Sequence, residues 1–300
     1  MAIVELFGKP PLDESIPRLM KAGVCPFTKM RCHKRMKISG TKPTGVCVVT
    51  NGSKDEPVVV CPNRLYGERY DILRKIAEEE FGIVRFILSG ARANEQYNSG
   101  SGPSVIAIPE FSIGGGRLDW LLLFVDEHGN QGDFVVVEVQ SMDTTGNYDT
   151  TWADIQRYHE DSGDIIKHIR PTKHGINWKN VVKRLSTQII EKGNSVRKET
   201  TCRAFYFVLP DNVYTRFEKD VPNLVESKSS GFRVVVATLS LVSGDITRDR
   251  TLTYSHEDVV AAFSENDPSK IDFRSSIASK IEDIIRPPAG GSQYFSFSKD

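Results

Sequence analysis

A chain of 300 residues is long enough for one large domain or two ordinary ones with a sizeable core. Its apolar fraction of 39% and charged fraction of 26% are ordinary for a soluble globular protein. No apolar run approaches the roughly 18 residues of a membrane span, which excludes an α-helical membrane protein. The 39 basic residues balance 39 acidic ones, and zero net charge is mild evidence against a nucleic-acid binder. The distribution says more. From Arg18 to Lys54 there are nine Lys/Arg and no acid, and Lys167 to Arg203 holds ten basic residues against Glu191 and Glu199. Such a protein can still present two basic surfaces to a phosphate backbone. The start, Met-Ala-Ile-Val-Glu-Leu-Phe, lacks the basic and apolar regions of a secretory leader. The expected location is the bacterial cytoplasm, with reduced thiols.

In chain order, the first sixty-odd residues read as loop-rich, with Pro10, Pro11, Gly40, Pro43, Gly45 and Pro62, and they hold four of the five cysteines. They are expected to form a unit of their own, residues 1–65, before a larger one, 66–300. Tyr66 to Phe81 reads as an amphipathic helix ended by Gly82. Ile83–Leu88 reads as a strand and Asn94–Pro103 as a polar loop. Arg117–Val125 and Asp133–Gln140 are apolar and β-rich, joined by Asp126–Gly132, which has the composition of a hairpin turn. Helices are predicted over Thr151–His168, Trp178–Lys192 and Ile271–Ile285, the last stopped by Pro287-Pro288. Core strands are predicted over Arg203–Leu209 and Phe232–Leu239. Strands set among helices predict an α/β or α+β core, a mixed sheet flanked by helices.

The hairpin carries the chemistry. Asp119 sits among Leu118, Trp120, Leu121 and Leu122, and Glu138 follows Val135-Val136-Val137. A carboxylate in such a run is costly to bury unless something compensates it. Folding about Gly129 would set Asp119 opposite residue 139, within one residue of Glu138 and Gln140, which share a face by period-two alternation. Two carboxylates and an amide converging from adjacent strands suit Mg²⁺, which takes one or two carboxylates plus water and phosphate oxygens. That is the chemistry a phosphodiesterase needs; the alternative reading is an edge hairpin whose acids face solvent, against which the apolar density on both sides argues.

An acid on one strand followed by Glu-x-Lys or Glu-x-Gln on the next resembles the PD-(D/E)xK nucleases. Val137-Glu138-Val139-Gln140-Ser141-Met142-Asp143, with Gly146-Asn147-Tyr148 beyond it, resembles the NotI restriction endonuclease family in particular. So does Pro109-Glu110-Phe111-Ser112 ahead of Asp119-Trp120. The resemblance covers most of residues 4–215. It implies that Asp119 and Glu138 bind catalytic Mg²⁺, with Gln140 in place of the usual lysine and Glu110 as a further candidate ligand. The insertion Gly114-Gly115-Gly116 leaves that last assignment open.

Cys25, Cys32, Cys47 and Cys61 have the spacing C-x6-C-x14-C-x13-C. Alone this reads either as a metal site or as four unrelated buried thiols. Cys25-Pro26-Phe27, Gly45-Val46-Cys47-Val48-Val49 and Cys61-Pro62-Asn63-Arg64 resemble the N-terminal region of the same family, which implies a structural iron on four thiolates. Sequence does not separate iron from zinc. Cys202 is expected in the core. Lys34 and Arg35 beside Cys32 are candidate phosphate contacts. Asn180-Val181-Val182-Lys183-Arg184-Leu185, with Gln188 after it, resembles a family helix; Lys183 and Arg184 are candidate DNA contacts and Gln188 a candidate for the active site. Asn147 and Asp149 are candidates for reading base edges.

The resemblance thus implies a type II restriction endonuclease cutting double-stranded DNA. One site per chain implies a homodimer and a palindromic target, with a cognate DNA methyltransferase protecting the host's own sites. A related nuclease of repair or defence with little sequence preference, and an inactive DNA-binding protein with a structural metal, are the alternatives.

Overall fold

The computed structural model describes residues 1–34, 43–51, 56–82, 84–90, 102–113, 116–160, 169–221, 223–227, 231–242 and 244–265. Arg35, Gly114-Gly115, most of the loop over 94–103 and the predicted helix Ile271–Ile285 lie outside them. A seven-stranded sheet organises the molecule, in the order β10-β9-β8-β7-β6-β5-β4. Its strands are β4 (Arg85–Leu88), β5 (Ser104–Ile113), β6 (Gly116–Val125), β7 (Gln131–Val139), β8 (Cys202–Pro210), β9 (Arg233–Val242) and β10 (Asp245–Ser255). β7, β8 and β9 run parallel, and antiparallel hairpins β5–β6–β7 and β9–β10 flank them. β4 pairs parallel with β5 at the edge.

The central strands read as β because both their faces are covered. Val135, Val136 and Val137 in β7 and Phe205, Tyr206, Phe207 and Val208 in β8 are all buried, the continuous apolar run of a parallel strand packed on two sides. One face carries Val136, Phe205, Phe207, Val234 and Val236. Against it pack α4 (Asp149–Glu160), α5 (Trp178–Val196), α6 (Asp211–Asp220) and α7 (His256–Glu265). The other face carries Val135, Val137, Tyr206 and Val208, covered by α3 (Asp71–Phe81). α5 turns Val181, Leu185, Ile189, Gly193 and Val196 inward at helical spacing, and the Asn177 side chain caps its start by accepting from Asn180 N–H.

The N-terminal residues contain more regular structure than their composition suggests. β1 (Ala2–Leu6), β2 (Val46–Thr50) and β3 (Val58–Val59) form a second, antiparallel sheet, with α1 (Ile16–Ala22) beside it and α2 (Pro62–Leu65) after it. Met1, Ile3, Leu6 and Val49 join the same apolar cluster as Val136 and Phe205. The boundary near residue 65 is therefore not a gap in packing.

Most other predicted elements appear with shifted ends. The helix expected from Tyr66 starts at Asp71, because Arg69 and Tyr70 hold positive φ and confine Glu68–Tyr70 to a 3-10 turn. The helix expected to end at Lys192 continues to Val196. No helix among the described residues is long and apolar enough to cross a membrane.

Candidate active site

The β6–β7 hairpin turns through Asp126–Asn130, where Asp126 Oδ1 accepts His128 N–H and Asn130 N–H. Beside the turn Val125 faces Gln131, which centres the hairpin on residue 128 rather than Gly129, and an irregularity between Leu123 and Val125 then shifts the register by one residue. Leu122 faces Val135 and Trp120 faces Val137. Continued one step, that register sets Asp119 opposite Glu138 rather than residue 139.

The backbone ladder stops at Trp120 and Val137, and side chains replace it. Asp119 Oδ2 accepts Val139 N–H at 2.8 Å, and Asp119 N–H donates to Glu138 Oε1 at 3.2 Å. Each carboxylate thus takes a backbone donor of the other's strand. Trp120 anchors the corner: its Nε1–H donates to Tyr66 Oη at 3.0 Å, and its ring packs edge-on against Tyr66 and Tyr70.

Glu138 is 1% exposed in its side chain. Its Oε2 accepts from Lys192 Nζ at 2.7 Å and from Gln188 Nε2 at 3.2 Å, both on α5. Burial and the neighbouring Asp119 push the Glu138 carboxyl up to about 7 against the pull of Lys192. Burial also raises Asp119, countered by Val139 N–H and Lys192. Two neighbouring carboxyls thus have one ammonium in contact, that of Lys192 on Glu138. Gln188 Oε1 is buried beside them with no hydrogen-bond donor. A carboxyl pair and an orphaned acceptor are features that a hydrated divalent cation would satisfy. Among the described residues, no three His, Cys, Asp or Glu side chains cluster closely enough to hold a metal by themselves.

The remaining candidates divide. Gln140 is buried in line with Glu138, but its Nε2 donates to Ser141 O at 2.6 Å. Glu110, at positive φ, is exposed and pairs with Arg117; it does not join the carboxylate pair. Arg184 is held by Asp143 through two hydrogen bonds, beside Asn180 on the same carboxylate. Lys183 is exposed. Asn147 Nδ2 donates to Asp149 Oδ2 at 2.7 Å, at the start of α4. Lys34 turns inward, and its Nζ donates to Val60 O at 2.8 Å.

Lys192 is the site residue that sequence reading missed. It lies one turn beyond Gln188, so the inward aim assigned to Gln188 was the available signal.

All four N-terminal cysteines are free and buried. Cys25 and Cys32 bracket a tight turn in which Cys25 N–H donates to Met30 O and Cys32 N–H to Gly23 O. Cys47 lies on β2, its thiol 3.2 Å from Gly45 O, and Cys61 immediately precedes α2. The four border one cavity of about 240 Å³ together with His33, Lys34 and Phe7. Cys202 is buried at the start of β8, as expected.

Among known proteins, the family model described as restriction endonuclease NotI matches residues 12–214. No curated protein matches the chain.

Proposed function

Because the chain belongs to the NotI restriction endonuclease family, whose members are type II site-specific deoxyribonucleases, we propose that Asp119 and Glu138 form its catalytic centre. The interlocked pair at the open end of the β6–β7 ladder carries this reading. It resembles a PD-(D/E)xK core: two carboxylates on adjacent strands of a mixed sheet, with the position two residues after the second occupied by Gln140. Asp119 and Glu138 would hold Mg²⁺. When bound, the ion would stabilise the charge that develops on the attacked phosphate. Asp119 is fixed through Val139 N–H, and Glu138 through Asp119 N–H and α5, so neither carboxylate must search for its position when DNA arrives. Gln140, already committed to Ser141 O, keeps the turn after β7 in shape.

We read the DNA as entering across β7 and the start of α4 and α5. There Asn147, Asp149, Lys183 and Arg184 are the candidate contacts, and one active site per chain suits a two-fold dimer on a palindrome. A methyltransferase reading the same sequence would protect the host. Residues 1–65 are proposed as a metal-stabilised unit in which Cys25, Cys32, Cys47 and Cys61 hold one iron or zinc. The four thiols, all on described residues, border a single cavity but are not drawn together into a metal-holding cluster, so a metal would have to close them into the tetrahedral site that is structural in kind. The visible spectrum and metal content of the purified protein separate iron, zinc and neither.

Digestion of a complex DNA sample with Mg²⁺, followed by sequencing of the ends, tests the main reading with Asp119→Asn as control. One discrete end sequence from the parent and none from the variant is expected. Equal cutting by the variant removes Asp119 from the site. Scattered ends favour a nuclease without sequence preference.

A further inference from the structure

Phosphodiester hydrolysis builds up negative charge on the attacked phosphate, and strand β7 carries no cationic side chain to stabilise it. The side chain two residues after Glu138 is Gln140, an uncharged amide whose Nε2 is used on Ser141 O. The structure offers a cation from a different element. Lys192 Nζ lies 2.7 Å from Glu138 Oε2, and its side chain is 17% exposed, buried along the stem with the ammonium at the site. Among the described residues it is the one lysine or arginine paired with either carboxylate. An ammonium has three donors. Glu138 takes one, and no other acceptor is seen among the described residues.

One turn earlier on the same face of α5, Gln188 Nε2 donates to the same Glu138 oxygen, while its buried Oε1 has no donor. Unused donors on Lys192 and an unused acceptor on Gln188 thus stand side by side next to the carboxylate pair. A phosphate oxygen fits the first and a water molecule fits the second.

We propose that Lys192 is a catalytic residue of this nuclease, the cation that meets the attacked phosphate, supplied by helix α5 because the strand carries Gln140. Gln188 beside it is a positioning residue that accepts a hydrogen bond from water. In the hydrolysis the water oxygen bonds to phosphorus, the ester P–O bond breaks with its electron pair on the leaving oxygen, and the water's proton passes through solvent to that oxygen. The inference rests on the Asp119–Glu138 reading.

The test compares the parent with Lys192→Met, Lys192→Arg, Gln188→Leu and Asp119→Asn. Cleavage is measured on DNA carrying the mapped site with Mg²⁺, Ca²⁺ binding to each protein by calorimetry, and folding by urea titration. Removing a charge-stabilising donor lowers kcat by about 100-fold or more. That loss is expected for Lys192→Met with KM within about threefold, while Lys192→Arg recovers at least about tenfold of it. Ca²⁺ binding by Lys192→Met is expected to be unchanged or tighter, since a competing cation has gone. Gln188→Leu is expected to lower kcat without lowering Ca²⁺ affinity.

If Lys192→Met keeps kcat within about threefold while Asp119→Asn is dead, the inference falls and the carboxylate reading stands. If the loss in Lys192→Met tracks weaker Ca²⁺ binding and is undone by raised Mg²⁺, Lys192 serves the metal site and the inference also falls. Full activity of Asp119→Asn removes both. Should Lys192→Met fail to fold, Lys192→Arg and Lys192→Gln decide: activity only with the charge supports the proposal, and equal activity overturns it.

Discussion

Substituting Gly45 with alanine should open the cysteine cavity from its rim. Gly45 holds φ +68, and a Cβ there would lie 2.0–2.5 Å from three ring carbons of Phe7. Phe7 is buried, and its own N–H donates to Gly45 O at 2.8 Å, so the ring is tied to the residue it would have to avoid. The left-handed conformation costs an L-residue about 1–2 kcal/mol, and forcing a carbon into a packed core costs about 1–3 kcal/mol. The sum is about 2–5 kcal/mol. With a urea dependence of about 2 kcal/mol per molar, the midpoint should fall by roughly 1–2.5 M. Tryptophan fluorescence is a suitable probe because Trp152 Nε1–H donates to Thr44 O, next to the substitution. Thiol labelling in low urea should accelerate in parallel, since the Cys47 thiol also leans on Gly45 O. Gly116→Ala is the control: its Cβ would meet nothing within 4 Å, and its midpoint should stay within error of the parent. A Gly45→Ala midpoint within about 0.2 M of the parent would refute the reasoning.

Three further outcomes follow from side chains placed above. Glu5 and Arg64 form a nearly fully buried ion pair, so Arg64→Met should cost about 3–5 kcal/mol by stranding the carboxylate, and Glu5→Gln with Arg64→Met should cost less than the sum of the singles; additive urea midpoints would argue against the pairing. Hydrogen bonds from Arg170 lower the Asp154 carboxyl from 3.8 to about 2, so its stabilisation is complete above about pH 4 and is lost as pH falls toward 2. Acid unfolding of Asp154→Asn should lack that dependence, and superimposable acid curves for parent and variant would exclude it. Trp120→Phe removes the hydrogen bond to Tyr66 and should cost about 1–2 kcal/mol, read by thermal melting; an unchanged melt would mean the corner is held by ring packing alone.

The hairpin was legible because its signal is local. Valine runs, a turn rich in Asp, Asn and Gly, and two acids out of place in apolar strands all lie within 24 residues of one another. Its register differs by one residue from folding about Gly129, because the turn centres on residue 128 and the irregularity near Phe124 then shifts the pairing, and neither leaves a compositional mark. β5 and β10 were not predicted. β10 alternates Thr and Arg with exposed positions along an edge and buries little, and β5 bends at Glu110, where positive φ interrupts the pattern. The N-terminal strands were hidden by proline and glycine in the connections between them. Lys192 could not be read from its own neighbourhood, because its partner lies 54 residues earlier on β7. A charged residue on a helix reads as solvent-facing until the surface it packs on is known.

Where the β6–β7 ladder ends, Asp119 and Glu138 stand in for backbone carbonyls, so the two side chains proposed to hold the metal also fasten the sheet. An inactive protein made by cutting either back to alanine would also unbutton the corner of the hairpin, and any change in its DNA affinity would mix two causes. The replacements are not equivalent either. An asparagine at 119 keeps an oxygen for Val139 N–H. A glutamine at 138 would have to turn its NH₂ toward Asp119 N–H or toward Lys192, donors on both sides. For trapping an uncut complex with DNA, Asp119→Asn is the gentler inactivation.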